Sequence, residues 1–228
     1  MNESRNPLIV AADLSDAGEA EALATALSGF VAYVKVGLEL FVAAGPASVE
    51  RVRTHTPVFL DLKLHDIPNT VWRAARNAGR LGAGLLTVHA LGGMKMIQAA
   101  VEGAAEGASD AGLPPSGVIA VTVLSSLSGE ELASPASLAF EAVSAGAAGV
   151  VVSGEDVKPV REAIGQGPVV VVPGIRPLGS PNGDQVRVLR PAEAMERGAD
   201  LIVVGRPVTG APDPVAAARD ILREVGAA

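Results

Sequence analysis

The chain contains no cysteine. Disulfides, thiolate nucleophiles and cysteine-ligated metals are therefore excluded at the outset. Aromatic residues make up only 3% of it, so a core must be built from Val, Ile, Leu and Ala. Those residues suit a buried parallel sheet covered by helices. Positive charge is scarce: 18 Lys and Arg stand against 25 Asp and Glu, for a net charge of −7 and a pI near 5.0. No run of basic residues interrupts that balance, which excludes the basic field that non-specific nucleic-acid binding needs. A small anion held in a local cationic pocket remains compatible with it. No apolar run approaches the roughly 20 residues of a membrane span. The first residues, Met1 to Pro7, are polar and carry no signal-like stretch. A cytoplasmic protein without a membrane partner is expected.

What is present is aliphatic and periodic. Hydrophobic residues make up 49% of the 228, enough for a sizeable core. One α/β barrel commonly takes roughly 200–250 residues, so residues 1–228 read as one domain. Short β-branched runs predict strands at Leu8–Leu14, Tyr33–Gly37, Val58–Leu64, Leu85–Ala90, Gly117–Leu124, Gly149–Ser153, Val169–Ile175 and Leu201–Arg206. Between them, Ala-, Glu- and Arg-rich segments predict helices at Asp16–Phe30, Thr70–Gly82, Gly93–Ala108, Glu130–Gly146, Asp156–Gly165, Pro191–Gly198 and Pro212–Val225, most ending near a glycine. Such alternation gives a closed barrel or an open doubly wound sheet. The strand count, and the lack of an ordered glycine-rich phosphate loop after any strand, favour a (β/α)8 TIM barrel.

In that fold chemistry belongs at the C-terminal ends of the strands. Polar residues interrupt the apolar runs there. Asp13 ends the first strand, Lys35 lies inside the second, and the third reads Asp61-Leu62-Lys63-Leu64-His65-Asp66. Alternation places Leu60, Leu62 and Leu64 against the helices, and Asp61 and Lys63 together toward the barrel mouth. Asp66 follows just beyond the strand. Of the 18 basic residues only Lys35, Lys63, Lys95 and Lys158 are lysine, and two of these sit within apolar strands. Lysine can lose a proton at accessible pH and arginine effectively cannot, which suggests proton transfer or a compact ammonium contact. One Asp-x-Lys pair is ordinarily an ion pair closing the end of a barrel. Burying two ammoniums and two carboxylates is costly and seldom favoured for stability alone, so function is the better reading.

A second constellation follows strands seven and eight, the usual phosphate site of this fold. Pro173-Gly174-Ile175-Arg176-Pro177 runs into a Gly/Pro-rich loop ending at Gln185, and strand eight ends in Gly205-Arg206-Pro207. Gly205 permits close backbone approach, Arg206 can fork onto phosphate oxygens, and Gln185 can donate a further bond. Either loop alone reads equally well as an ordinary turn; both at the expected strands favour a phosphate. Ser125 and Ser126 follow strand five and serve either to touch a ring or to cap the next helix. His65 and His89 stand at strand ends as supporting or packing residues, since no metal-ligand spacing accompanies them. His55 reads as loop surface and Trp72 as helix packing.

The run Asp61-Leu62-Lys63-Leu64-His65-Asp66-Ile67-Pro68-Asn69-Thr70 resembles the signature of the orotidine 5′-phosphate decarboxylase family, which closes pyrimidine nucleotide synthesis. Similar blocks cover nearly the whole chain: Val10 to Leu14, Val34 to Gly37, Thr87 to Ala90, Val121 to Leu124, Pro173 to Pro177, Gly183 to Gln185 and Val204 to Thr209. The resemblance implies that Lys63 protonates C6 of the pyrimidine as carbon dioxide leaves. It implies that Asp61 lies against the substrate carboxylate and that Lys35 orients Asp61 and touches the ribose. Asp66 and Thr70 would come from the partner subunit of a homodimer. Asp13 would hold a ribose hydroxyl, Ser125 would meet the ring, and Arg176, Gln185, Gly205 and Arg206 would bind the 5′-phosphate of a nucleotide monophosphate. No metal and no organic cofactor are implied, and Gly179–Gly183 is the candidate closing loop.

Two other readings share parts of this pattern. Sister enzymes such as 3-hexulose-6-phosphate synthase and 3-keto-L-gulonate-6-phosphate decarboxylase resemble the same third strand but use Mg2+. They would be expected to offer further carboxylates at the barrel mouth, where Glu39 is the one clear extra. A silent barrel that only binds a nucleotide or protein would have no need of Lys63.

Overall fold

The computed structural model describes residues 6–123, 134–177 and 189–227. Its strands are β1 (Leu8–Ala11), β2 (Tyr33–Gly37), β3 (Val58–Leu64), β4 (Leu85–His89), β5 (Gly117–Val121), β6 (Gly149–Val151), β7 (Val169–Val172) and β8 (Leu201–Val204). The helices are α1 (Ala17–Ala26), α2 (Leu38–Ala44), α3 (Pro46–Arg53), α4 (Pro68–Arg80) and α5 (Gly93–Asp110). After them come α6 (Pro135–Ser144), α7 (Val157–Ile164), α8 (Pro191–Glu196), α9 (Arg206–Thr209) and α10 (Pro214–Glu224). Each strand pairs in parallel with the next, and β1 closes against β8 through Val10 and Val204, giving a closed (β/α)8 barrel.

Two apolar layers explain why the strands carry so few polar residues. Ile9, Ala11, Phe59, Leu85, Ile119, Val171, Leu201 and Val203 fill the barrel interior. Their neighbours along the strands, among them Leu8, Val10, Leu60, Leu86, Val170 and Ile202, face outward onto helix side chains such as Leu27, Leu40, Ala75 and Ile97. Both faces of the sheet are thus buried, and each such side chain removed from water contributes about 1.5–3 kcal/mol.

All eight predicted strands are present; β2 and β3 have the expected bounds, and the other six end one to three residues earlier, where the chain turns toward the barrel mouth. Leu124, and the first residues of the helix expected from Glu130, lie outside the described residues. Three helices were not anticipated: α2, α3 and the four-residue α9, which begins at Arg206, the residue expected to end strand eight. α2 and α3 occupy the β2–β3 connection, where a seven-residue helix ends at Gly45, at φ 60°, and Pro46 opens the next. Each is too short to show a helical period, and Gly-Pro reads as a turn.

The third strand departs from regular pairing at the place where the chemistry was expected. Leu60 pairs with Leu86, but the next register partner is Leu64 with Val88, so Asp61, Leu62 and Lys63 stand opposite Thr87 alone. Lys63 absorbs this bulge at φ 50°, the one non-glycine residue with positive φ among the described residues. Bulges and left-handed side-chain-bearing residues concentrate at sites where a side chain must be re-aimed. Leu62 and Leu64 still pack on the outer core, as alternation requires.

On the flank, α4 and α5 pack backbone to backbone. A Cβ at Gly107 would sit 1.9 Å from the Arg76 carbonyl oxygen, and one at Gly103 2.3 Å from that of Trp72. Arg76 and Arg80 then reach across to Asp110, each at 2.7 Å.

Two stability measurements test these backbone assignments. Helix propensity alone makes Gly→Ala stabilising by up to ~1 kcal/mol. Gly107→Ala should instead destabilise by about 1–3 kcal/mol, because α5 must move away from α4, and lower Tm by about 2–4 °C per kcal/mol. A rise in Tm would refute the close crossing. Lys63→Gly should be more stable than Lys63→Ala by about 1 kcal/mol in urea unfolding, the reverse of their usual order, since only glycine meets φ 50° without a Cβ penalty.

Candidate active site

At the C-terminal end of the barrel, Asp61 is the hub. Both its carboxylate oxygens accept hydrogen bonds from Lys63 Nζ at 2.9 Å, and Lys35 Nζ lies 3.8 Å from Oδ2. Lys35 in turn donates to Asp13 Oδ1 at 3.1 Å. The side chains of Lys35 and Asp61 are only 12% and 13% exposed, whereas Asp13 is open to solvent at 57%. A charge chain therefore runs from the rim at Asp13 down to Lys63. Gly37 makes room for it: a Cβ there would lie 2.8 Å from Lys35 Nζ.

Thr87 supports the hub from β4. Its buried hydroxyl accepts the Lys63 backbone N–H at 2.8 Å and donates to Asp61 Oδ1 at 2.9 Å. His89, two residues on, stacks on His65 with ring centroids 5.2 Å apart. Its Nδ1 is buried without a hydrogen-bond partner. Burial first, then the charges of His65 and Lys63, hold the His89 imidazole below the ordinary histidine range, favouring its neutral form.

Asp61, Lys63 and Lys35 line a cavity of about 190 Å³ whose remaining walls are largely apolar, including Phe59, Val121, Val123, Val151 and Val171, with Ser153 at one edge. The Ser153 hydroxyl donates to Asp156. Lys35, Pro173 and Val203 are shared with a second, more open cavity of about 440 Å³, also lined by Asp13, Glu39, Gly174, Arg176, Gly205 and Arg206. Burial, followed by the neighbouring Arg206 guanidinium, pushes Arg176 below the usual arginine value. Two cationic forks thus stand at one end of a continuous groove and an ammonium at the other, a layout suited to a phosphorylated ligand with a small apolar or planar head.

The structure thus brings Asp13, Lys35, Asp61 and Lys63 into one cluster and gathers Arg176, Gly205 and Arg206 around one pocket. Asp66 and Thr70 are not part of the cluster within this chain. Both are exposed at the start of α4, where Asp66 Oδ1 accepts the Ile67 N–H at 2.6 Å. Ser125, Ser126, Gln185 and the loop Gly179–Gly183 lie outside the described residues. Glu39 reaches the rim, accepting from the Ser15 hydroxyl at 3.1 Å. Among the described residues no group of three or more His, Asp or Glu side chains is arranged to hold a metal ion. His55 pairs with Glu21 at 3.6 Å on the surface, and Arg76 lies over the Trp72 ring. Sequence reasoning gave no role to Gly37, Thr87 or Ser153. Of these only Gly37, a glycine two residues after a strand lysine, carried a readable signal.

The chain is similar to known proteins over nearly its whole length. A curated relative from Anaeromyxobacter sp. (strain K), named orotidine 5′-phosphate decarboxylase, is 52% identical over 225 residues, covering 94% of this chain and 96% of its own length. One of the same name from Moorella thermoacetica is 47% identical over 234 residues, covering 97% and 93%. The crystal structure of orotidine 5′-phosphate decarboxylase from Lactobacillus acidophilus superposes with a TM-score of 0.81 at 37% identity, covering 97% of this chain and 99% of that one. Residues 6–221 match the model of one family, and this chain therefore belongs to the orotidine 5′-phosphate decarboxylase / HUMPS family.

Proposed function

We propose that this chain converts orotidine 5′-monophosphate to uridine 5′-monophosphate, the closing decarboxylation of pyrimidine nucleotide synthesis, without metal or organic cofactor. The observation that carries this reading is the Lys63–Asp61–Lys35 cluster at an apolar-walled cavity that opens onto the Arg176–Arg206 pocket. In the proposed mode the pyrimidine occupies the inner cavity, with its C6 carboxylate against Asp61. The ribose hydroxyls meet Asp13 and Lys35. The 5′-phosphate meets Arg176, Gly205 and Arg206, together with Gln185 from the loop beyond β7, and Ser125 approaches the ring.

The chemistry follows from charge. The bond between C6 and the carboxylate carbon breaks, carbon dioxide departs, and the electron pair remains on C6. Lys63, already held as an ammonium donor toward Asp61, transfers its proton to that carbon and regains one from solvent. Its positive charge stabilises the developing carbanion more than the neutral ring carbon of the ground state, which is the condition for acceleration. Asp61 opposes the substrate carboxylate, a repulsion that vanishes as carbon dioxide forms. Phosphate contacts remote from C6 supply binding energy for orientation and for closing the loop at Gly179–Gly183.

The same reading makes the active unit a cytoplasmic homodimer in which Asp66 and Thr70 complete the partner's site. Their exposed position supports this. So does a set of apolar side chains at the same end of the barrel: Ile67, 66% exposed, with Leu91 and Met94.

The ultraviolet absorbance of orotidine 5′-monophosphate should fall rapidly with purified protein, equally with and without EDTA. An EDTA-sensitive or absent reaction would turn the assignment toward the Mg2+-dependent sugar-phosphate members of the family. Lys63→Ala should lose turnover by about 10³-fold or more while its affinity for uridine 5′-monophosphate stays nearly unchanged. Parallel loss of both would make Lys63 a structural residue.

A further inference from the structure

We infer that Thr87 is a positioning residue for the decarboxylation: its one hydroxyl fixes the Lys63 backbone and the Asp61 carboxylate in a single geometry. This rests on the function proposed above.

With Asp61, Leu62 and Lys63 facing Thr87 alone, the Lys63 N–H takes the Thr87 hydroxyl oxygen as an acceptor, at 2.8 Å. Backbone N–H groups in such a place are seldom left without a partner. A hydroxyl offers one proton. Because its oxygen accepts from Lys63, that proton is free to point at Asp61 Oδ1, 2.9 Å away. The two bonds are therefore linked: the orientation that receives Lys63 is the one that serves an ionised Asp61.

What is being held explains why this matters. Lys63 sits at φ 50°, a conformation its Cβ disfavours, and its Nζ is bonded to both oxygens of the same carboxylate that Thr87 grips. Thr87 is fully buried on β4, between Leu86 and Val88, which pack on the outer core. Its hydroxyl thus ties the strained donor and its counter-ion to a rigid strand. Without it, Lys63 can relax toward negative φ and Asp61 can rotate, moving both charged groups relative to the bound ring. A valine has the same branched shape but leaves the Lys63 N–H and one Asp61 oxygen without this partner.

Four proteins test this: wild type, Thr87→Val, Thr87→Ala and Thr87→Ser. Ala and Ser lack the same methyl group and differ only in the hydroxyl. Steady-state decarboxylation of orotidine 5′-monophosphate should show kcat reduced about 10–100-fold in Val and Ala, as displacement of a reacting group by about 1 Å would give. KM and the Kd for uridine 5′-monophosphate should stay within a few-fold of wild type. Thr87→Ser should restore most of kcat. Amide hydrogen exchange at Lys63 should be slow in wild type and Ser, and faster in Val and Ala. Retention of kcat by Val, equal loss in Ser and Ala, or failure of both Val and Ala to fold would overturn the positioning role. A wild-type protein that leaves orotidine 5′-monophosphate unchanged would instead refute the function itself. In that event slow Lys63 exchange in Ser but not in Ala would still uphold the hydroxyl anchor, and equal exchange would reject it.

Discussion

The contact between the Asp61 carboxylate and the Lys63 ammonium organises the barrel mouth. Both carboxylate oxygens accept from one ammonium at 2.9 Å, with a second ammonium at 3.8 Å and a buried hydroxyl on the remaining side. Removing Lys63 leaves Asp61, only 13% exposed, with Lys35 as its one remaining ammonium, and a buried carboxylate so left costs more than the pair stabilises. That asymmetry keeps the cluster together in the absence of a ligand. It also means that the cluster is a poor device for stability: apolar residues of similar size would hold the barrel as well. Its presence makes sense as stored electrostatic preorganisation, with charges oriented in advance of the ligand whose charge they meet.

The rest of the fold supplies what this arrangement needs, which is rigidity on one side and space on the other. The supporting groups sit on strands: Lys35 on β2, Asp61 and Lys63 on β3, Thr87 and His89 on β4. Strands buried on both faces are the least deformable elements of the molecule, and an interior close-packed with Phe59, Ile119 and Val171 fixes their separation. The outer pocket adds to Lys35 of β2 groups from beyond the strands, Arg176 after β7, Gly205 after β8 and Arg206 at the start of α9. The division matches the two tasks proposed for them. Proton transfer demands sub-ångström placement, while capture of a phosphate tolerates adjustment.

How legible this was in the sequence depended on contrast. Lys35, Asp61 and Lys63 stood out because charged residues break runs that are otherwise aliphatic, and the structure places all three in one cluster. The strands were readable for the same reason: a sheet buried on both faces writes long apolar runs. The bulge was not readable. Strict alternation already predicted that Asp61 and Lys63 share a face, so nothing in the residues marked Lys63 as left-handed. Thr87 was invisible because threonine is an ordinary strand residue, and only its distances to two particular atoms distinguish it. α2 and α3 escaped because seven or eight residues show too little period to register.

The two arginines and the lysine cluster also constrain one another through distance. Arg176 is buried beside Arg206, so each raises the cost of the other's charge, and an anion between them relieves that cost. A phosphate bound there, as proposed, would place the remainder of a nucleotide toward Lys35, which lines both cavities. Under the proposed function, Lys35 is therefore where the phosphate-binding end and the reacting end meet. It neutralises Asp13 at the rim and Asp61 within, so neither carboxylate need repel an incoming anion from a distance. A neutral residue at that position would leave Asp61 compensated by Lys63 alone, and the ammonium proposed to protonate carbon would be held more tightly by its counter-ion. In the proposed reaction, two lysines around one buried carboxylate would keep the proton donor bound yet transferable, a balance that a single ion pair does not provide.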